Sequence, residues 1–151
     1  MKLIGKGGLS RLIEGGLIAL MVFSLGVLLT LPWSITWITE RPHSDPLYIK
    51  YLVILVYSGL FLQLILWQAR GIMHNVNHNR VFSDDTVRRL RILAVECLVL
   101  AGLYFVTMFW FLKFFMAALF ICSVMVGCIL LVFAELFRQA NRYKEENDMT
   151  I

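Results

Sequence analysis

The stretch that decides the fold is Phe114–Ala134, which reads FFMAALFICSVMVGCILLVFA and contains no Asp, Glu, Lys or Arg. Its length matches the roughly 20 apolar residues that an α-helix needs to cross the hydrocarbon core of a bilayer. A strand of a membrane β-barrel would alternate apolar and polar residues, and this stretch does not alternate. The stretch therefore predicts a membrane-spanning helix.

Three more apolar stretches of similar length precede it, so the predicted spans are 12–31, 48–68, 90–112 and 114–133, followed by a cytoplasmic tail at 135–151. The whole chain of 151 residues is 60% hydrophobic and only 16% charged, whereas soluble domains are about 45–50% apolar and about 25% charged. This composition excludes a soluble enzyme with membrane tails, and it also excludes a disordered chain. We predict one all-α integral membrane domain that covers residues 1–151.

Positive charge is distributed unequally between the two sides of this domain. Eleven Lys and Arg residues lie in the N-terminal segment, the middle loop and the tail, against three in the two other loops. Because cytoplasmic loops carry the excess of Lys and Arg, both termini and the middle loop are expected to face the cytoplasm. Pro32, Pro42 and Pro46 then fall in the outer loop, where they would interrupt no spanning helix.

The short connection at Lys113 requires the third and fourth spans to be antiparallel neighbours, and we predict an antiparallel four-helix bundle, N-in/C-in. Membrane helices associate through small residues that let their backbones approach closely. The fourth span has such a stripe, formed by Ala118, Cys122, Ser123 and Gly127. The stripe makes a homodimer one expected assembly.

Ionisable residues inside spans are costly and are functional candidates by default. Four polar residues belong to this class, namely Glu14, Gln63, Glu96 and Glu135. Two interpretations of the three acids stay open: structural pairing, for example of Glu14 with Arg11 and of Glu96 with Arg88 or Arg89, or a cluster that responds to protons or cations. Gln63 is expected to form a hydrogen bond between helices.

Other residues with chemical potential receive a structural interpretation. His74 and His78 are four residues apart, which on a helix places two imidazoles on one face, as a metal site requires. No third ligand is fixed nearby, and the neighbouring asparagines favour a turn, so they are weak metal candidates. Cys97, Cys122 and Cys128 form no C-x-x-C pair and are expected to pack as small apolar residues. We expect no cofactor and no catalytic residue.

The middle loop and the tail carry the most distinctive polar sequence. Ser83 precedes Asp84 and Asp85, which predicts a capped helix start with two acids in its first turn. The residues expected to contact a cytoplasmic partner are Phe82, Arg88, Arg89 and Arg91 in the loop and Glu145, Glu146, Asn147, Asp148 and Ile151 in the tail.

The chain also resembles a known family. The resemblance rests on Arg80–Ser83, on Val87–Arg91 and on the tail from Val132 to Arg138 and from Glu145 to Ile151, and it departs from the family pattern at Asp85-Thr86. These segments are similar to the YoaS-like bacterial membrane proteins, a domain of unknown function with four spans. The resemblance implies an inner-membrane protein often encoded beside a small helix-turn-helix regulator, and it implies no catalytic residue.

Three functions remain open on the sequence alone. The first is a non-enzymatic regulatory protein whose loop and tail bind a cytoplasmic partner, such as the helix-turn-helix regulator, without binding nucleic acid itself. The second is a small oligomeric transporter or channel that uses Glu96 with Glu14 or Glu135. The third is a membrane enzyme with a site built from Asn75, His78 and Asp84, which is the weakest because no nucleophile–base pair is evident.

Overall fold

The computed structural model describes residues 8–40 and 42–150, and the regular structure in these ranges is entirely helical. The helices are α1 (Gly8–Thr39), α2 (Pro46–Asn77), α3 (Asp84–Met108) and α4 (Lys113–Met149). Each is long and apolar enough to cross a membrane. Three of the helices carry on well beyond the predicted apolar spans, namely α1 and α2 at their C-terminal ends and α4 into the tail.

α1 contains Pro32 within the helix, so the prediction that all three prolines lie in the outer loop is wrong for this residue. Proline has no N–H to donate to the carbonyl four residues earlier, here that of Leu28, yet the helix continues past it to Thr39. Two hydroxyls donate to the Pro32 carbonyl, from Tyr48 at 3.1 Å and from Thr36 at 2.7 Å. Tyr48 thereby fixes the end of α1 to the beginning of α2.

α2 begins and ends with recognisable caps. Asp45 is its N-cap and accepts a hydrogen bond from the Leu47 amide, and Pro46 occupies the first turn, where a missing N–H costs nothing. At the other end Asn79 has a left-handed backbone, and the Arg80 amide donates to the Asn75 carbonyl at 2.8 Å. This is a Schellman-type ending, in which asparagine replaces the usual glycine. The turn expected at the asparagines therefore begins later, and His74 lies within the helix.

α3 starts where the sequence predicts. Ser83 is the N-cap, its hydroxyl accepts a hydrogen bond from the Thr86 amide at 3.3 Å, and Asp84 and Asp85 occupy the first turn. The helix ends at Met108, so Phe109–Leu112 form a tight turn instead of completing the span predicted for 90–112. Leu112 has a left-handed backbone that reverses the chain into α4.

The helices pack in chain order. Among the described residues α1 contacts α2, α2 contacts α3 and α3 contacts α4, and no contact joins α1 to α3 or to α4. These contacts connect the four helices as an open row, and the antiparallel four-helix bundle stays a prediction. α3 carries the largest set of buried side chains, and a core of Ile54, Leu100, Tyr104 and Met116 joins the second, third and fourth helices.

Two glycines permit close approach between neighbouring helices. A Cβ at Gly127 would lie 2.9 Å from Leu98 Cγ and 3.3 Å from the Ala94 carbonyl oxygen, so this glycine lets α4 approach α3. A Cβ at Gly59 would overlap the end of the Leu28 side chain of α1. At Gly127, the stripe of small residues on α4 therefore packs against α3 of the same chain.

Candidate functional site

The hydrogen bonds and ion pairs between helices that involve charged side chains gather at one end of the molecule, which we call the polar end. It comprises the beginning of α1, the end of α2, the beginning of α3 and the part of α4 from Glu135 onwards. At the opposite end the contacts are mainly aromatic, with Tyr51 and Phe111 rings 4.8 Å apart. This concentration of charge makes the polar end the candidate functional site.

At the polar end α1 is attached to α2 through Glu14. Its carboxylate accepts a short hydrogen bond from the Asn77 side-chain amide, and its second oxygen lies 3.4 Å from His74 Nδ1. The structure gives no ion pair between Glu14 and Arg11 among the described residues, so the expected pairing within α1 is wrong. Arg11 instead lines an open cavity of about 440 Å³ together with Glu14, Asn77, His78 and Asn79.

α2 and α3 are joined by a network centred on Asp85. The Asn75 side-chain amide donates to Asp85 at 2.8 Å and to the buried Thr86 hydroxyl at 3.1 Å. Arg89 Nε donates to the same Asp85 carboxylate at 2.8 Å. Asp85 precedes the predicted span 90–112, and the hydrogen bond from Asn75, followed by that from Arg89, lowers the pKa of its carboxyl group below the ordinary value.

Arg89 crosses from α3 to the surface of α2. Its Nη1 lies 3.4 Å from Gln68 Oε1, and its guanidinium rests directly against Gly71, where any Cβ would overlap it. Glycine at position 71 therefore makes room for this arginine. The expected pairing of Arg89 with Glu96 is not formed, because the guanidinium is bound to Asp85 and Gln68 instead.

Glu96 lies next to this network. One of its oxygens, Oε2, is buried and has no hydrogen-bond partner among the described residues, and the Gln68 side chain lies beside the carboxylate. A buried carboxylate oxygen without a partner is costly. Glu96 therefore remains the acid for which the structure provides the least compensation.

α3 and α4 are joined at the same end by charged and aromatic contacts. Asn141 donates to Asp84 at 2.8 Å, and Glu135 lies 2.6 Å from Arg138 and 3.8 Å from Arg91. The Phe82 and Phe137 rings are 5.4 Å apart. Of the loop residues expected to contact a partner, Phe82, Arg89 and Arg91 thus already contact other parts of the chain, and Arg88 is exposed.

The tail is a continuation of α4. Residues 142–150 are all exposed, and an ion pair of 3.3 Å between Arg142 and Glu146 lies along the helix surface. Glu145, Glu146, Asn147 and Asp148 lie in this exposed segment. Ile151 lies outside the described residues.

The three acids that the sequence singles out are not brought together. Glu14 binds groups of α2, Glu96 lies beside Gln68, and Glu135 binds arginines of α3 and α4. His74 and His78 do lie side by side, with ring centroids 4.2 Å apart, yet no group of three or more potential ligands exists among the described residues. Gln63 confirms the prediction of an interhelical bond, since it donates to the Met21 carbonyl at 3.1 Å and to Ser24 Oγ at 3.0 Å.

Sequence reasoning missed that three asparagines form hydrogen bonds between helices. Asn75, Asn77 and Asn141 each connect two helices, while the pattern indicated only a turn for the first two. Asparagines towards the end of one helix, together with acids near the start of a neighbouring helix, are the signal that would have predicted these hydrogen bonds.

Comparisons with known proteins agree with this picture of a small membrane protein. No curated protein and no solved structure is significantly similar to the chain. One family model matches residues 34–151, which include α2, α3 and α4 in full. The chain belongs to the family described as "Protein of unknown function (DUF2975)".

Proposed function

We propose that this chain is a non-enzymatic regulatory protein of the bacterial inner membrane whose polar end, facing the cytoplasm, binds a cytoplasmic protein. Family membership and the four apolar helices support a small membrane protein. The excess of Lys and Arg at the polar end supports the cytoplasmic orientation. The partner proposed from the YoaS-like resemblance is a helix-turn-helix regulator, so nucleic acid would be contacted by the partner only.

The single observation that carries this proposal is the length of α4. The helix has 37 residues, or about 55 Å at 1.5 Å per residue, against about 30 Å of hydrocarbon. Its last residues, 142–150, are exposed along their whole length. A helix that leaves the bilayer with an exposed acidic end offers a surface that no internal contact of the protein requires.

Contacts elsewhere at the polar end hold the helix that carries the tail in place. Asn141 is bonded to Asp84, and Glu135 to Arg91, so the base of the projecting helix is fixed to the beginning of α3. Arg88 is exposed at the same end and adds positive charge to it, whereas the tail is acidic. A partner with a mixed basic and acidic surface fits this arrangement.

Removal of residues 145–151 tests the proposal. We expect the full-length protein to co-purify with the helix-turn-helix regulator from detergent-solubilised membranes, and the shortened protein to lose most of it. A matched control replaces Lys113 by alanine at the opposite end and should retain the regulator. Unchanged co-purification after the truncation would exclude the tail as the binding surface.

A second candidate function, a small oligomeric transporter or channel, is favoured by one observation, the buried and unpartnered Oε2 of Glu96. The separate bonding of Glu14 and Glu135 weighs against a joint site. Proteoliposomes that show a proton or cation flux abolished by Glu96→Gln, but not by Glu135→Gln, would favour the transporter. Equal fluxes in protein-containing and empty vesicles would exclude it.

The antiparallel four-helix bundle and the homodimer belong to the same proposal. Because α1 contacts α2 alone within the described chain, a closed bundle needs another surface against α1, and a second copy can provide it. Gly15, Gly16 and Gly26 of α1 have open space at their Cβ positions, which allows close approach. Crosslinking of a single cysteine introduced at Gly26 in membranes should give a dimer band, and a cysteine at Gly102 provides the comparison.

A further inference from the structure

A small cavity at the polar end has features of a binding site for a phosphate group. It measures about 230 Å³ and is lined by Trp67, Arg70, Gly71, His74 and Asn75 of α2 and by Arg89 of α3. Two guanidinium groups and an imidazole thus line one opening, while the Asn75 side-chain amide already donates to Asp85 and Thr86. Guanidinium groups are typical donors in sites that bind phosphate.

The charges around the cavity leave positive charge available. Asp85 is bonded to Arg89, but together with Gln68 it engages only two of the guanidinium's five N–H donors. Arg70 forms no hydrogen bond or ion pair among the described residues. The nearest acid on α1, Glu14, is bonded to Asn77 and His74 and feels the charge of Arg70 only at longer range.

The position of the cavity along α2 indicates where in the bilayer its ligand lies. The predicted span 48–68 ends at the cavity, and tryptophan at a span end marks the level of the lipid headgroups. Trp67 is 57% exposed. Basic pockets between membrane helices at this level bind anionic headgroups.

The surface on the hydrocarbon side of the cavity is suited to an acyl chain. Leu60, Leu64 and Trp67 follow one another at helical spacing, lead to Gly71 on the same face of α2, and are about half exposed, at 51%, 49% and 57%. An apolar stripe that ends at a basic cavity matches the shape of a phospholipid, whereas free phosphate would use the cavity alone.

We propose that the cavity between α2 and α3 binds the phosphate of an anionic phospholipid, with Arg70 and Arg89 contacting the phosphate and the Leu60–Trp67 stripe contacting an acyl chain. The site is separate from the exposed tail, so it stands whether or not a cytoplasmic partner binds there. It gives the polar end a defined lipid anchor, in addition to the general attraction between basic loops and anionic membranes.

Lipid binding to the purified full-length protein tests this site. Native mass spectrometry and thermal unfolding in detergent each compare three additives: phosphatidylglycerol, phosphatidylcholine and inorganic phosphate. We expect preferential retention of, and stabilisation by, phosphatidylglycerol. Arg70→Ala should weaken its binding about fivefold, because each basic residue near an anionic surface contributes about 1 kcal/mol.

Arg88→Ala is the matched control, since it removes one exposed arginine from the same end without touching the cavity, and it should retain the preference. Gly71→Ala keeps every charge but displaces the Arg89 guanidinium, so it should also reduce the preference for phosphatidylglycerol. This second variant tests the site even if Arg70→Ala fails to fold. An undiminished preference in both Arg70→Ala and Gly71→Ala would overturn the proposal. An equal loss in Arg88→Ala, or full stabilisation by inorganic phosphate, would overturn it as well.

Discussion

Gln63 is the residue that fastens α1 to α2 in the apolar part of the molecule. Its side-chain amide donates to the Met21 carbonyl and to Ser24 Oγ, and both acceptors lie on α1. In hydrocarbon such a bond replaces no bond to water, although measured contributions of hydrogen bonds between membrane helices are modest. The bond matters here because α1 contacts no helix other than α2 in the described chain.

We therefore expect Gln63→Leu to lower the free energy of unfolding by about 1 kcal/mol, since both interhelical hydrogen bonds of this side chain are lost. Ser34→Ala serves as the control, because the Ser34 hydroxyl donates to Thr30 within its own helix. Thermal unfolding in detergent measures both variants. Identical stability of Gln63→Leu and the wild type would contradict the role assigned to Gln63.

Asp85 gives the polar end a dependence on pH. Its pKa is lower in the folded protein than in the unfolded chain, because Asn75 and then Arg89 hydrogen-bond to the ionised form. Such a group adds stability above its unfolded pKa of about 3.9, and this contribution is lost as the pH falls through the lower folded value.

The wild type should therefore be more stable than Asp85→Asn at pH 6, and the difference should shrink as the pH is lowered to 3. Asp148→Asn, in the exposed tail, provides a carboxylate control whose stability should follow that of the wild type throughout. Melting temperatures recorded across this range measure the effect. A constant gap between wild type and Asp85→Asn at all pH values would show that the ionised carboxylate is not the stabilising form.

At the scale of the elements, α3 is the helix that lies between α2 and α4 and carries the largest set of buried side chains. It packs against α2 through Ser58 and Tyr104, whose hydroxyls are 3.0 Å apart, and against α4 at Gly127. Its start is fixed by the Ser83 cap and by Asp84 and Asp85, and its end by a turn of four residues. A central helix needs small or well-fitted side chains on both sides, because close packing rather than the hydrophobic effect holds helices together in lipid.

Gly127→Ala should consequently separate α3 from α4. The added Cβ would lie 2.9 Å from Leu98 Cγ and 3.3 Å from the Ala94 carbonyl oxygen, and a backbone oxygen cannot move aside as a side-chain tip can. We expect a loss of about 1–3 kcal/mol, the usual cost of overpacking.

Gly102→Ala is the matched control in α3, because nothing lies within 4 Å of its Cβ position. Alanine is the better helix former, so this variant should be as stable as the wild type or more stable. Unfolding in detergent compares the two alanine variants. Equal behaviour of both would argue against close packing at Gly127.

For the whole molecule, the one-sided distribution of Lys and Arg predicts an orientation of the chain in the membrane, and this orientation can be measured. Cys97, Cys122 and Cys128 are free and can be replaced by alanine to give a background for single cysteines. We expect His43→Cys to react with a membrane-impermeant maleimide in intact cells. Asp148→Cys should react only after the membrane is made permeable, because the proposed orientation places the Lys- and Arg-rich side in the cytoplasm. Labelling of Asp148→Cys in intact cells would reverse the topology.

Local chemistry determined several features from the sequence by itself: the four apolar helices, the Ser83 start of α3 and the hydrogen-bonding role of Gln63. Each follows from a short run of residues, because an apolar run of membrane length must satisfy its backbone as a helix, and because a cap acts within one turn. Pro32 within α1 shows the limit of such rules, since the proline removes one backbone donor and the helix nevertheless continues to Thr39.

Only the tertiary structure decided which partners the polar residues have. The sequence favoured Arg11 for Glu14, whereas the structure gives Asn77 and His74 on α2, and Arg89 bonds to Asp85 and Gln68 instead of Glu96. A helix that is apolar on all sides carries no periodic signal for its rotation about its own axis. Which side chains meet therefore depends on the packing of neighbouring helices, and that packing is set by contacts between residues far apart in the chain.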